Sequence, residues 1–564
     1  MFLMFVGSLV LAMLVLALAV DVFRTRRIAG SPTEWLTLGA ITAAALGLRL
    51  VYLGESSIEH LEGSYLFEAI KPSTVWDAMA SRQSAEQMHQ PLYVILLRGW
   101  SWLGIDEVTI RLPSAIFATA CVPVLWVIAR DELGRPNALW AAALTAATPL
   151  LVWYGRDATP YALLALLSLT AVASAQQSLE SPTRNVLSLR TGVALSLAFY
   201  THFHGGWVAI TVGLWLLCYD RKVFLRTTAI TALGCLPWTG ALFHKLLVSV
   251  QGLVEDQAIM RYSHEPFEAT SEAFRILMGG PSLTWIALLA LSVGGALFLI
   301  RRGHRLGSLI LITLGIGFLA ELHILWQLQR SKGILYVDIR HYVYAAPLLL
   351  LAIAALPRHV AAAAALGLQL VVSVPMVSAL EKPDVRRAAA WVTSYADGPE
   401  HGVAFLPAPW YQPIVEYYVL GVCPELVHGR SHEGWWLTKD CFQSEDPLEG
   451  SLYGFPPNPE RLHASSRRRQ IEYFWVIEIR DHRFGLPVPP TDPMERYECW
   501  EERDKALMQR RSFGPWVTVS LYDAQRMAML PSPPAYDEDQ PVRTVTAAEA
   551  WELPCRSSSR EDVH

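Results

Sequence analysis

Charged residues are scarce in this chain. Only 17% of its 564 residues are Asp, Glu, Lys or Arg, whereas 52% are hydrophobic, and the mean hydropathy is positive. A soluble globular domain has about 25% charged residues, so this composition favours a membrane protein. Basic residues are not in excess either, since the formal net charge is −5. Without a basic excess there is little to bind a phosphate backbone, and we expect no nucleic-acid partner.

Cysteine motifs are also absent. The sequence has seven cysteines and no CxxC pair, which excludes the usual zinc-finger and redox patterns. Three lie in apolar stretches, where small apolar packing is the ordinary role: Cys121, Cys218 and Cys235. Four lie after residue 380: Cys423, Cys441, Cys499 and Cys555. We expect at least one disulfide among these four, and the short intervening loop favours Cys423 with Cys441.

Long apolar runs are abundant. Several approach the roughly 20 residues that a helix needs to cross a bilayer, and together they give about twelve spans. The first run, residues 1–20, lacks a positive region before it and a cleavage pattern after it, so it is predicted to be an uncleaved anchor. The basic loops, beginning with 23–27, all fall on one side of this topology. The positive-inside rule therefore places them in the cytoplasm and residues 54–110 outside.

Composition divides the chain into four parts. Charge, proline and turn residues rise after residue 380. Three stretches rich in Val, Ile and aromatics are predicted strands: 401–409, 471–480 and 513–523. Residues 384–396 and 412–421 are predicted helices. The stretch 91–105 is short and contains Arg98, so it is predicted to be a re-entrant or surface-lying helix. The predicted parts are an N-terminal anchor helix (1–30), a transmembrane domain (31–380), an extracytoplasmic α/β domain (381–526) and a loosely ordered, Pro- and acid-rich tail (527–564).

Residues 57–68, SSIEHLEGSYLF, place Glu59, His60, Glu62 and Glu68 directly after an apolar run. A polar loop between spans is often a solvated connector, and that interpretation stays open. The position of the segment in the chain favours a functional interpretation, because further motifs follow it in a fixed order. These are LEG at 61–63, HQPLY at 89–93, RLPS at 111–114, GRDATPYALL at 155–164, DIRHYVYAAPLLLL at 338–351 and KPDVRRAAAWV at 382–392.

This succession resembles the multi-spanning glycosyltransferases of GT-C type, namely glycosyltransferase family 39, the protein O-mannosyltransferases and the aminoarabinose transferases. The resemblance covers roughly residues 34–420 and implies a GT-C-like helical membrane domain with a C-terminal α/β domain outside the cytoplasm. It implies an enzyme, a hexosyl- or pentosyltransferase, that moves a sugar from a polyprenyl-phosphate donor to an acceptor hydroxyl. The acceptor can be protein, lipid or polysaccharide. The implied location is a bacterial inner membrane, and no cofactor or divalent metal is expected.

The resemblance also implies catalytic residues. The family has an Asp-Glu pair in its first long loop, and this chain has Leu61 and Glu62 there. Glu62 is therefore the predicted base, Glu59 is its rival, and Glu68 is predicted to be a surface charge. Burial would raise the pKa of a catalytic glutamate from about 4.3 toward the working pH. The loss of the Asp leaves open a degenerate, non-catalytic assembly protein. A transporter is the third alternative, but neither internal repeats nor mid-membrane charges are evident.

Six further residues are predicted to bind substrate. Arg340, His341 and Tyr342 stand at a span entrance, where Arg and His could hold the lipid phosphate. Interfacial anchoring is an equal alternative for Arg340 and the better one for His341. Arg156 and Asp157 are predicted to open a helix. Instead of binding substrate, the Asp157 carboxylate could stabilise the positive end of the helix dipole.

The remaining histidines have simpler alternatives. His89, the sixth predicted substrate-binding residue, could equally cap its short helix. His202 and His204 are two residues apart, which on a helix would point them to different faces. A metal shared by His202 and His204 is therefore not expected.

Overall fold

The structure is a computed structural model that describes part of the chain. The described residues are 2–25, 30–70, 90–180, 184–241, 243, 274–275, 277–279, 284–316, 342–378, 382–395, 401–406, 418, 435–437, 442–443, 473–479, 505–513, 517–523 and 525–526. His89, Arg340, His341, the four cysteines after residue 380, and the predicted tail lie outside them. The predicted disulfide therefore stays a prediction.

The chain forms two compact units. The first, called here the helical unit, comprises Met1–Glu55, Tyr65–Glu255 and His264–Ala379. The second, the sheet unit, comprises Ser56–Ser64, Asp256–Ser263 and Leu380–His564. The acidic segment that contains Glu59 and Glu62 is thus grouped with the C-terminal residues.

Fifteen described helices precede the C-terminal part of the sheet unit. They are α1 Phe2–Thr25, α2 Pro32–Leu50, α3 His60–Ile70, α4 Pro91–Trp100, α5 Glu107–Leu133, α6 Arg135–Ala147, α7 Pro149–Tyr154, α8 Tyr161–Glu180, α9 Arg184–Thr201, α10 Gly205–Tyr219, α11 Arg221–Cys235, α12 Thr284–Arg301, α13 Arg305–Leu314, α14 Ala345–Ala354 and α15 Val360–Ser378. A 3₁₀ turn, Leu236–Trp238, follows α11. The first turn of α3 belongs to the sheet unit, and its remainder belongs to the helical unit.

These helices confirm the prediction of an α-helical, polytopic membrane protein. A helix lies in each segment that was predicted to span the membrane. Among the described residues, four are long and apolar enough to cross a bilayer: Glu107–Leu133, Tyr161–Glu180, Thr284–Arg301 and Val360–Val377. The window within Tyr161–Glu180 is entirely buried, so this helix lies at the centre of the helical unit.

Helix α5 begins four residues before the RLPS motif at 111–114. Asp106 caps the helix, since its carboxylate accepts the Thr109 N–H at 3.1 Å and the Thr109 hydroxyl at 2.6 Å. Pro113 therefore lies inside the helix, where it has no N–H to give to the Thr109 carbonyl. The Trp100 indole N–H donates to that carbonyl at 2.8 Å instead. The proline is tolerated because a tryptophan replaces the lost hydrogen bond.

A second proline separates α6 from α7. Pro149 interrupts the helical hydrogen bonds, and two side chains satisfy carbonyls near the break. Arg49, fully buried, donates to the Ala146 carbonyl at 3.3 Å, and the Ser373 hydroxyl donates to the Ala147 carbonyl. The two donors come from α2 and α15, so the break is tied to both helices.

A helix, α4, forms in the stretch that was predicted to be re-entrant or surface-lying, and most of it is buried within the protein. Seven of its ten residues are buried, and the Tyr93 hydroxyl makes a 3.0 Å hydrogen bond with Ser114 on α5. The Arg98 guanidinium donates to the Ala69 carbonyl at 2.7 Å. The polar groups that made this stretch a poor span are therefore used in contacts inside the helical unit.

The sheet unit contains a helix and six described strands. They are α16 Val385–Tyr395, β1 His401–Leu406, β2 Trp435–Leu437, β3 Phe442–Gln443, β4 Tyr473–Ile479, β5 Leu507–Phe513 and β6 Val517–Asp523. The strand order is β3-β2-β1-β4-β6-β5; β1 and β4 run parallel, and the other neighbours are antiparallel. The predicted strands at β1, β4 and β6 and the predicted α16 are confirmed, as is the small C-terminal α/β fold.

The core of the sheet unit is aromatic. Trp391 of α16 meets the Trp475 ring edge-on at a centroid distance of 5.1 Å and the Phe513 ring at 5.7 Å. Trp475 is completely buried and Trp391 is nearly so. Such ring pairs add to the gain from burying the apolar surface. They fix α16, and with it the residues just before α16, against the sheet.

Candidate functional site

The acidic segment begins α3 with a reciprocal cap. Glu59 stands just before the first helical residue, and its backbone N–H donates to Glu62 Oε2 at 3.0 Å. The Glu59 carbonyl accepts from the Gly63 N–H at 2.7 Å. A glutamate at the third helical position that reaches back in this way is half of a capping box. The geometry explains why the sequence turns into a helix here, and it gives Glu62 a structural contact.

Glu62 also forms a buried ion pair. The Lys382 ammonium lies 3.0 Å from Glu62 Oε2; the side chain of the lysine is 7% exposed and that of the glutamate 0%. Both groups belong to the sheet unit. Lys382 was not identified from the sequence. A signal existed, because a buried carboxylate needs a partner and KPDVRR brings cations to a helix start.

A second contact joins the same two stretches of chain. Asp384 caps α16, with its Oδ1 accepting the Arg387 N–H at 3.3 Å. The Ser57 hydroxyl donates to that oxygen at 3.3 Å and accepts the Arg386 N–H at 3.1 Å. Ser57 and Glu62 lie on either side of Glu59 in the chain. The segment is therefore fixed to the start of α16 both before and after Glu59.

This arrangement can hold and exchange a proton. Glu59 and Glu62 are both completely buried, and the Lys382 ammonium lies 3.0 Å from Glu62 Oε2. Carboxylates are suitable general bases when they reach the proton that is removed. Leu61 is partly exposed on the first turn of α3 and brings no polar atom to the cluster. The family's usual Asp therefore has no replacement at position 61 itself.

Glu68 does not behave as predicted. It was expected to be a surface charge, but it is only 3% exposed. The reason is that α3 is buried around most of its circumference, from Glu62 to Leu66 and again at Glu68 and Ala69. Exposure of a short helix cannot be judged from its polarity alone.

Arg156 and Asp157 lie in the helical unit, before a helix and not at its first turn. They occupy the turn between α7 and α8, and α8 begins only at Tyr161. The Arg156 guanidinium donates to the Leu48 and Tyr52 carbonyls at 3.3 and 3.4 Å, and to that of Val51. It therefore caps the C-terminal end of α2.

Arg156 has further neighbours. It donates to the Val377 carbonyl at 3.2 Å, near the end of α15. Burial lowers the pKa of the Arg156 guanidinium, the positive charge of Arg111 lowers it further, and the Asp157 carboxylate raises it. Arg111 itself is buried and donates to the Leu53 carbonyl at 2.8 Å. Arg156 and Arg111 thus satisfy carbonyls at and just after the end of α2, and the Asp157 carboxylate favours the charged form of Arg156.

His202 and His204 come together, contrary to the expectation that they face apart. Helix α9 ends at Thr201 and α10 begins at Gly205, so the two residues lie in a turn. Their Nδ1 atoms are 3.2 Å apart, and the His204 ring meets Tyr342 edge-on at 6.0 Å. Tyr342, a predicted substrate residue, is buried beside this pair. Within the described part of the chain, no group of three or more His, Cys, Asp or Glu side chains could hold a metal ion.

Comparison with known proteins bears on the helical unit. Residues 89–241 match the sequence model of the family described as dolichyl-phosphate-mannose-protein mannosyltransferase. This segment is similar to the dolichyl-phosphate-mannose-protein mannosyltransferases. The matched range contains HQPLY, RLPS and GRDATPYALL, so it confirms the resemblance to glycosyltransferases of GT-C type. Among curated proteins, none matches the chain significantly.

Solved structures of such enzymes are weakly similar. Archaeal oligosaccharyltransferase AglB from Archaeoglobus fulgidus, in complex with an inhibitory peptide and a dolichol-phosphate, gives a TM-score of 0.47 at 10% identity, covering 79% of this chain and 69% of AglB. ArnT from Cupriavidus metallidurans, bound to undecaprenyl phosphate, gives 0.39 at 12% identity, covering 87% and 98%. The Saccharomyces cerevisiae Pmt1-Pmt2 complex, bound to the sugar donor, gives 0.30 at 17%, covering 44% and 37%.

Proposed function

We propose that the chain is a membrane glycosyltransferase that moves a sugar from a polyprenyl-phosphate donor to an acceptor hydroxyl on the extracytoplasmic face of a bacterial inner membrane. The match of residues 89–241 to the mannosyltransferase family carries this proposal, because the family description names a lipid-phosphate sugar as donor. Membrane helices support it, since such a donor stays in the bilayer. The sugar is a hexose or pentose, and the acceptor is a protein, lipid or polysaccharide.

The reaction assigns roles to the acidic segment. The acceptor oxygen attacks the anomeric carbon, the bond from that carbon to the phosphate oxygen breaks, and the polyprenyl phosphate leaves with its electron pair. The acceptor proton goes to a carboxylate. We assign that role to Glu62, with Glu59 as the rival. Arg340 and His341 are proposed to hold the lipid phosphate, and Tyr342 is proposed to bind substrate.

Three further residues complete the proposed binding set. His89 and Asp157 are proposed to bind substrate. Arg156 is the weakest of the three, because its guanidinium is already hydrogen-bonded to helix carbonyls.

A non-catalytic member of the family is the second candidate. Two observations favour it: Leu61 stands where the family has Asp, and Glu62 Oε2 already accepts two hydrogen bonds. A glutamate that is kept for capping and ion pairing need not be a base.

Sugar transfer in reconstituted vesicles separates the two candidates. The purified chain is incubated with radiolabelled polyprenyl-phosphate sugars and membrane acceptors, and label in the acceptor is counted. Glu62→Gln keeps an oxygen for the Glu59 N–H but removes the base, so we expect transfer to fall by roughly a hundredfold. Glu55→Gln, at an exposed position nearby, is the matched control and should transfer normally. No transfer by the unmodified chain with any donor supports the non-catalytic candidate.

We also propose that transfer needs no divalent metal. Lys382 already brings a positive charge to the buried Glu62 carboxylate. Transfer should therefore continue in a chelator. Loss of transfer that one divalent ion restores contradicts this part of the proposal without affecting the donor class.

A further inference from the structure

Lys382 is unusual for a lysine. Its side chain is 7% exposed, whereas lysines are almost never buried unless they are paired. Its partner, Glu62, lies 320 residues earlier in the chain and is fully buried. Taking two charges out of water is costly, and their attraction compensates only when the geometry is good. A nitrogen to oxygen distance of 3.0 Å satisfies that condition.

The lysine acts on one defined oxygen. Glu62 Oε2 accepts from Lys382 Nζ and from the Glu59 N–H, both at 3.0 Å. Two donors that converge on one carboxylate oxygen fix the rotation of the carboxyl group as well as its place. Both donors also favour the ionised form of the carboxyl group.

Both stretches of chain that form the Glu62–Lys382 pair carry further charged residues. The described charged residues within 57–62 and 382–387, the two stretches that the Glu62–Lys382 and Ser57–Asp384 contacts join, are Glu59, Glu62, Lys382, Asp384, Arg386 and Arg387. Asp384 is engaged with Ser57 and with Arg387, whose Nε lies 3.4 Å from Asp384 Oδ2. Lys382 contacts Glu62 directly, with its Nζ 3.0 Å from Glu62 Oε2.

We propose that Lys382 is a positioning residue that holds Glu62 ionised and in a fixed orientation. This inference rests on the proposed function only for its kinetic consequence. In an enzyme that lacks the family's Asp at position 61, the lysine fixes the remaining carboxylate of the pair. Lys382 touches no reacting atom and acts through Glu62.

Two variants test the charge and the geometry separately. Lys382→Met keeps the apolar stem and removes the ammonium. The buried Glu62 carboxylate then loses the positive charge that Lys382 places beside it. Lys382→Arg keeps the charge and should rescue most of what Lys382→Met loses. Lys505→Met is the control, because Lys505 is an exposed lysine of the same unit.

The first measurement does not depend on activity. Infrared difference spectra over a pH series report the protonated carboxyl stretch, and the band that disappears in Glu62→Gln identifies Glu62. In Lys382→Met this band should appear at a pH at least one unit higher than in the unmodified chain. An unchanged midpoint in Lys382→Met overturns the proposal.

The second measurement is the pH profile of transfer. The acidic limb should move to higher pH in Lys382→Met, with a fall in kcat larger than any rise in KM, and return in Lys382→Arg. If the unmodified chain transfers no sugar, the proposed function fails while the infrared result still decides the role of Lys382. If Lys382→Met alone does not fold, Lys382→Met with Glu62→Gln should fold, because both charges of this buried pair are then removed together. A double variant that stays unfolded contradicts the pairing.

Discussion

Replacing Arg156 decides whether this residue is a substrate ligand or a helix cap. The structure favours the cap, since the guanidinium donates to carbonyls at the end of α2 and to Val377. The chain just after α2 benefits from these donors because Tyr52 has a φ of 56°, in the left-handed region that a tyrosine rarely adopts. Arg156→Ala removes all of these donors together.

The magnitude follows from the exposure of the four contacts. A hydrogen bond to a charged group contributes about 1.5 to 3 kcal/mol, but two of the four contacts are open to water and are partly replaced by it. We therefore expect a local loss of about 2 to 4 kcal/mol. Because about 1.4 kcal/mol is tenfold, opening of the α2 end should rise by roughly 30- to 700-fold.

Hydrogen exchange followed by mass spectrometry in detergent measures this opening. Amides of residues 46–55 should exchange faster in Arg156→Ala, and Arg156→Lys should lie between, since a lysine lacks the planar fork. Arg301→Ala, at an exposed arginine of the same unit, should leave these amides unchanged. Unaltered protection in Arg156→Ala together with weaker donor binding would refute the capping role and restore the substrate role.

Three other predictions concern packing and pH. Gly205→Ala places a Cβ 2.3 Å from a backbone carbon of α9, so thermal unfolding should show a loss of about 1 to 3 kcal/mol or more, whereas Gly206→Ala, with its nearest neighbour at 3.9 Å, should be tolerated. Trp391→Ala should cost about 3 to 5 kcal/mol, seen as faster exchange in β4 and β6. The hydrogen bond from the Thr109 hydroxyl lowers the pKa of the Asp106 carboxyl group. The ionised carboxylate should therefore stabilise the fold fully above about pH 4, and this stabilisation should be lost at lower pH. In acid unfolding, Asp106→Asn should not show this pH-dependent loss of stability.

The sequence predicted the elements whose signal is local. Apolar runs of sufficient length gave the helices, and Val, Ile and aromatic residues gave β1, β4 and β6. Strand β5 was missed because most of its residues are exposed and include Arg510 and Arg511. Its strand conformation depends on pairing with β6 and not on its own composition.

The missed site contacts are long-range. Lys382 meets Glu62 across 320 residues, and Arg156 meets the α2 carbonyls across more than 100. No spacing rule connects such positions. The histidine pair is different, because Gly205 and Gly206 after THFH were a local sign that the helix stops there. Treating THFH as helical led to the wrong expectation that the two rings face apart.

Glu62 has a structural role whether or not the chain is an enzyme. It completes the cap of α3 and pairs with Lys382, so a stability loss in a Glu62 variant carries no information about catalysis. Glutamine is the informative substitution because it can still accept the Glu59 N–H while it loses the charge. A Glu62→Gln protein that keeps the exchange protection of residues 57–64 but loses transfer identifies Glu62 as the base. If transfer survives there and is lost in Glu59→Gln, the base is Glu59, and Glu62 with Lys382 is the frame that holds it.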